Sequence, residues 1–564
     1  MNRRLARLRT AFAPARRPDP KPRQAAREAC VVIGGGISGL ATAALLARDG
    51  HAVTLLEQQH GLGGRAGRWS SGGFTFDTGP SWYLMPEVID HWFKMMGTSA
   101  AAELDLVPLT PAYRLWGGKG GGPVDVHTGR QQSVDLFNAM DPGSGQALAE
   151  YLASAEQTYS LARKHFLYDS FGTFRGLLSP AVLRHARSLA TLLGASLDSF
   201  VAHRFDHPLQ RQILGYPAVF LGTSPYQAPA IYHLMSHLDL QDGVMYPRGG
   251  FSAVVDAMER LARRAGVTIV TGARATQIVT GPAGSRARCE AVAWTAADGA
   301  DHRTAARIVV GAADLHHVET GLLPENLRTR SPRAWQRTDP GISAVLVCLG
   351  IRGKLPGLAH HNLLFTKDWQ ENFTRIRDGA DLSRETSLYV CRPSATDSTV
   401  APDGCENLFV LVPAPAAPGW GGGGDDGGGS PMVEKVADAA IAQIAEWSGI
   451  ADLKDRIVVR RTIGPADFER SVNAWQGSAL GAAHTLAQSA FLRPGNTNAK
   501  VDGLFYAGSS VRPGIGVPLC MISGELVLKA VRGDHSPGPL PEPVVAAGAT
   551  APETVAQARM GGTP

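Results

Sequence analysis

Three glycines and one carboxylate carry the first chemical signal of this chain. Gly34, Gly36 and Gly39 stand at G-x-G-x-x-G spacing, and Glu57 follows roughly 20 residues on. In such a turn the first glycine permits a tight bend, the second lets backbone approach a pyrophosphate, and the third lets a helix pack closely on a strand. The start of that helix presents free N–H groups and the positive end of its dipole to phosphate. The acidic residue accepts a hydrogen bond from a ribose 2′-OH. Together these residues predict binding of a dinucleotide with a free 2′-OH.

A chain with 65 glycines produces such a triplet by chance, so the flanking elements decide. Residues 31–33 are an apolar strand, 40–46 are strongly helix-forming, and Gly50 stops that helix before a second apolar strand over 52–56. The strand–turn–helix–strand order is what a dinucleotide turn needs. NAD and FAD share it, and the choice rests on Gly61-Leu62-Gly63-Gly64-Arg65. This loop is flexible enough to follow a second stretch of phosphate and carries one guanidinium to bind it.

From Leu56 to Ala66, and again over Gly73-Phe74-Thr75-Phe76-Asp77-Thr78-Gly79-Pro80, the chain resembles the FAD-containing amine oxidase and phytoene desaturase superfamily. Further stretches resemble the bacterial and fungal phytoene desaturases more closely. They are Phe220-Leu221-Gly222-Thr223-Ser224-Pro225, Tyr246-Pro247-Arg248-Gly249-Gly250-Phe251, Gln488-Ser489-Ala490-Phe491, Tyr506-Ala507-Gly508 and Pro513-Gly514-Ile515-Gly516-Val517-Pro518. The matches run in order over most of residues 29–532.

The resemblance implies an α/β fold, a Rossmann-type FAD-binding domain with a discontinuous α+β substrate domain. It implies FAD held by Gly34, Gly36, Ser38, Gly39, Glu57, Gly64, Arg65, Ala275, Gly508, Val517 and Pro518. The FAD-binding domain is expected to gather residues 29–110, 236–315 and 491–532, and the substrate domain 111–235 and 316–490. Strands are expected near 266–270, 273–279, 308–310 and 503–507, and a closing helix over 519–531 with its N-terminus toward the flavin. The activity implied is desaturation of phytoene or a related polyene, with hydride transfer to flavin N5 and oxygen or a quinone as electron acceptor. Isomerisation, saturation or end-group oxidation of a polyene are the alternatives on this scaffold. So is a non-catalytic isoprenoid carrier resembling the Rab escort and GDP-dissociation-inhibitor proteins.

No dyad or triad spacing singles out a catalytic base. Asp77 faces the flavin or forms a turn, and Arg248 positions a phosphate, a substrate end or a loop. Adjacent residues on a strand face opposite ways, so His360-His361 is expected to hold no metal, and neither is the lone His484. The six cysteines lack metal or C-x-x-C spacing and read as reduced core residues of a cytoplasmic protein.

At 564 residues, 44% hydrophobic and 19% charged, the chain has room for at least two domains, and no apolar run of about 20 residues suggests a transmembrane helix. Residues 1–28 hold nine Arg or Lys against Asp19 and Glu28, a net +7, which leaves −2 for the rest of a +5 chain. That tail is expected to be disordered and able to touch anionic headgroups at the cytoplasmic face of a membrane. A basic amphipathic helix over 180–200, with Val182, Ala186, Leu189 and Leu193 on one stripe, covers a core or lies on a bilayer. Nucleic-acid binding is not expected without a recognisable module. Residues 421–430, with seven glycines, read as a flexible loop, and 533–564 as a disordered tail.

Overall fold

The computed structural model describes residues 28–170 and 186–546. Five parallel strands, in the order Leu504–Tyr506, Ile308–Gly311, Ala29–Ile33, Ala52–Glu57, Thr268–Thr271, form the central sheet. Alternation along the first strand decides what covers each face. Cys30 and Val32 join a core with the helices Ile37–Arg48, Phe251–Arg264 and Val517–Arg532, whereas Val31 and Ile33 join one with the antiparallel strands Arg274–Ala283 and Arg286–Thr295. A sheet buried on both faces explains the unbroken apolar run.

The second sheet has seven strands, and its two longest, Ile342–Arg352 and Cys405–Pro415, are antiparallel neighbours. Val345, Val347, Leu408 and Val410 pack under the helix Pro431–Ser448. The alternate residues Ala344, Leu346, Phe409 and Leu411 face the other way and line a cavity. Period-2 alternation thus divides one apolar sequence into a core face and a ligand face.

Strands form at 268–271, 274–283, 308–311 and 504–506 and a helix at 517–532, within a few residues of expectation. Three expectations need correction. Residues 421–430 form a loop, but a packed one: a Cβ on Gly423 would lie 2.0 Å from the Thr462 carbonyl oxygen, so its glycines serve close approach to the strand Ile457–Ile463. The tail is not wholly disordered, because Leu540 and Val544 are buried in the core and the Val544 N–H bonds Met95 O at 3.0 Å. The helix expected over 180–200 is, among the described residues, two pieces, Ala186–Gly194 and Leu197–Ala202. Val182 and residues 1–27 lie outside the described part. All six cysteines are free, and no described helix is long and apolar enough to cross a membrane.

Candidate functional site

A cavity of about 400 Å³ runs from the carboxyl edge of the parallel sheet to the ligand face of the seven-stranded sheet. Crevices at that edge are where α/β folds bind ligands. Gly34, Gly36, Ser38, Glu57, Gly64, Arg65, Ala275, Gly508, Val517 and Pro518 all line it, although they come from segments far apart in sequence. Gly39 does not line it, because its role is packing: a Cβ there would sit 1.8 Å from Gly34 O.

The glycines test whether a dinucleotide fits. Gly34 has φ +105°, and a Cβ there would press on Ala313 N at 2.9 Å, so the chain itself demands glycine. At Gly36 the nearest protein atom to a Cβ is Gly63 O at 3.7 Å. Nothing in the protein forbids a side chain at Gly36, yet the position opens the helix and faces the cavity. The space kept there fits a pyrophosphate on the helix N-terminus.

Glu57 ends its strand at the cavity wall. Its Oε2 accepts the Gly35 N–H at 2.6 Å and its Oε1 the Gln59 N–H at 2.8 Å. Burial pushes its carboxyl up, against the pull of these N–H groups. Each oxygen keeps a lone pair for ribose hydroxyls. Arg65 donates to Ser478 O at 3.3 Å and lies 3.7 Å from Asp314, so its charge is partly shared. Ala275 sits beside a bulge, where the register with the facing strand slips between Ala275 and Gln277. At the far wall Gly516 precedes the helix Val517–Arg532 without a side-chain cap, which turns the positive end of the helix dipole toward an electron-rich ligand edge, although Pro518 in the first turn has no N–H to offer.

Asp77 and Arg248 make structural contacts. Asp77 accepts from Phe251 N, Ser252 N and Ser252 Oγ at 2.6, 3.1 and 2.6 Å, capping the helix Phe251–Arg264. Arg248 pairs with Asp105 and bonds Thr396 O, away from the cavity. His484 supports the loop that leads into the helix Val517–Arg532: its Nδ1 meets Tyr232 Oη at 2.6 Å and its Nε2 accepts the Ile515 N–H at 3.1 Å. Burial, then Arg493, keeps it well below the usual histidine range and so neutral.

The histidine pair departs from the expected geometry. Only His361 belongs to the strand His361–Leu364, and the two rings meet edge to face with centroids 4.6 Å apart. One potential ligand atom each from His360, His361 and Cys391 lie within 4.8 Å of one another, so opposed faces are no argument against a metal here. The Nδ1 atoms are engaged by Thr396 Oγ1 at 2.8 Å and Tyr389 Oη at 2.7 Å. Burial pushes the Cys391 thiol up to about 12, which keeps it protonated.

Sequence reasoning missed Ser81, Trp82 and Tyr389, which line the apolar end. Ser81 and Trp82 directly follow the Asp77–Pro80 motif and were within reach. Tyr389 arrives by strand pairing, for which no local signal exists.

Comparison with known proteins agrees with this geometry. Residues 37–531 match the flavin containing amine oxidoreductase family. A carotenoid 3,4-desaturase of Haloarcula japonica is 40% identical over 507 residues, covering 90% of this chain and 98% of that protein. A zeta-carotene-forming phytoene desaturase of Myxococcus xanthus is 32% identical over 509 residues, covering 88% and 92%. A solved putrescine oxidase with putrescine bound has the same fold, with TM-score 0.56 at 15% identity, covering 89% of this chain and 98% of that one.

Proposed function

Since the chain belongs to the flavin-containing amine oxidoreductases, and within them to the FAD-dependent carotenoid desaturases, we propose that it introduces double bonds into phytoene or a related polyene. The observation that carries this reading is the division of one cavity by polarity. Its charged residues Glu57, Arg65 and Asp314 stand at the nucleotide end, whereas Trp82, Leu84, Phe220, Leu346, Phe409 and Leu411 line the other. A polyene without polar groups gains about 25 cal/mol for each Å² it buries there.

Bound FAD supplies the oxidant, accepting a hydride at N5. The residues assigned to hold it are Gly34, Gly36, Ser38, Gly39, Glu57, Gly64, Arg65, Ala275, Gly508, Val517 and Pro518, with Gly39 acting through packing. The helix starting at Val517 stabilises negative charge at the flavin edge. The apolar wall orients the chain of the substrate and excludes water. Cys391 is buried among Phe74, Phe76 and Phe409. Oxygen or a quinone reoxidises the flavin. The protein works at the cytoplasmic face of a membrane, which it touches peripherally; Leu486, Phe491 and Leu492, at 48, 42 and 52% exposure, support that contact.

The deciding experiment supplies the FAD-loaded protein with phytoene, or with a longer conjugated polyene, in lipid vesicles. Extracted pigment is expected to absorb at longer wavelength with each double bond gained. Unchanged pigment from both substrates, while FAD remains bound, overturns the reading.

A further inference from the structure

A polar chain enters the apolar end of the cavity. Ser81 and Tyr389 both line it, and Ser81 Oγ lies 2.7 Å from Tyr389 Oη. Tyr389 Oη in turn lies 2.7 Å from His361 Nδ1. The sheet makes this contact: Leu363 pairs with Tyr389 and His361 with Cys391, so Tyr389 and His361 are diagonal neighbours on one face. Trp82, itself in the cavity wall, stacks on the His361 ring at 4.5 Å and 11° and fixes its plane.

The protonation states suit transfer. His361 is fully buried, and burial, then the neighbouring His360, holds it well below the usual histidine range. Burial holds the Tyr389 phenol well above its usual range. Both groups therefore wait neutral, with Nδ1 free to accept if the ring proton sits on Nε2. That Nε2 is buried and has no hydrogen-bonding partner among the described residues, so no neighbouring group dictates the opposite tautomer.

We propose that Ser81, Tyr389 and His361 form the proton relay of the desaturation, with Tyr389 Oη the atom that meets the substrate. One carbon of the polyene loses hydrogen with its electron pair to the bound flavin. The adjacent carbon loses a proton, and the electron pair of that C–H bond becomes the new π bond. The proton goes to Tyr389 Oη as the phenol's own proton moves to His361 Nδ1, which leaves a neutral phenol and an imidazolium. On product release the proton returns through Tyr389 and Ser81 to entering water.

A weak base suffices, because a C–H bond beside a cationic centre is strongly acidic; what the protein must supply is placement. A base that is neutral beforehand also does not repel the positive charge developing on the polyene. The relay explains why a polar strip of this kind interrupts an otherwise apolar wall.

The relay rests on the desaturase reading, and the test separates the two. Nitrogen-15 histidine NMR of the FAD-loaded protein is expected to find His361 neutral with its proton on Nε2; a proton on Nδ1 overturns the relay, since that nitrogen then donates. Tyr389→Phe and His361→Asn are expected to keep FAD and to bind polyene as wild type does. Their anaerobic flavin reduction by bound polyene, per bound flavin, is expected to fall roughly 100- to 10,000-fold, the usual contribution of a placed base. Reduction within about threefold of wild type in Tyr389→Phe overturns the relay alone. A wild type whose bound flavin is reduced by none of the polyenes supplied overturns the desaturase reading instead.

Discussion

A single methyl group at position 36 separates what the fold requires from what the ligand requires. At Gly39 a Cβ would lie 1.8 Å from Gly34 O, so Gly39→Ala is expected to give insoluble or unfolded protein. At Gly36 the same methyl meets protein no nearer than 3.7 Å. Gly36→Ala therefore costs only about 1 kcal/mol, the weaker helix cap of alanine, but places carbon where the pyrophosphate must approach. FAD affinity is expected to fall by at least roughly 100-fold, about 2.7 kcal/mol, while the apoprotein melts cooperatively. Flavin fluorescence titration and a thermal melt check both halves; a Gly36→Ala protein that binds FAD normally removes the pyrophosphate from this turn. These glycines were legible in sequence because a backbone that must nearly touch another atom leaves one residue type at a fixed spacing. Tyr389 and His361 were not, since their contact depends on the register of two strands and neither type is demanded locally.

At the scale of elements, residues 534–546 behave as a strap. Its composition gave no periodicity to read, and two of its side chains, Leu540 and Val544, are buried in the core. A third anchor is His91, placed between Glu525 Oε2 at 3.1 Å and the strap's own Glu542. Burial lowers the His91 pKa, but the two carboxylates outweigh it and leave the value raised. A raised value in the folded state means that the contribution of His91 is fully present below its unfolded pKa of about 6.5 and is lost as pH rises through the folded value. Proteolytic cleavage within residues 534–546 is thus expected to be faster at about pH 9 than at about pH 6, and His91→Gln to remove most of that difference. An unchanged pH response in His91→Gln refutes the anchor. Leu540→Ala, by contrast, is expected to destabilise at every pH, by about 2–5 kcal/mol.

For the whole molecule, a hydrocarbon substrate and a cavity buried between two sheets pose a delivery problem that surface chemistry has to solve. The chain that lines the cavity at Ala479 and Leu480 reaches the surface a few residues later at Leu486, Phe491 and Leu492, three of the five large apolar side chains most exposed in the described residues. Arg493 holds this segment against the loop that leads into the helix Val517–Arg532 by donating to the carbonyls of Gln488, Ala482, Val511 and Ser509, so its apolar tips are carried on a braced support. With about half of each side chain exposed, each tip is expected to gain roughly 0.7–1.5 kcal/mol on entering hydrocarbon, a contribution suited to weak, reversible contact with a bilayer. Replacing all three with serine is expected to cut co-sedimentation with neutral vesicles at least about tenfold while leaving FAD content unchanged. The variant should lose more activity on polyene dissolved in vesicles than on polyene supplied in detergent, because only the first route uses the docking surface. Removing residues 1–27, which hold nine Arg or Lys against Asp19 alone, should weaken binding to anionic vesicles and spare neutral ones. Equal losses on both kinds of vesicle for both variants would mean that neither segment meets the membrane in the manner argued, and that the polyene reaches Trp82 and Tyr389 by another face.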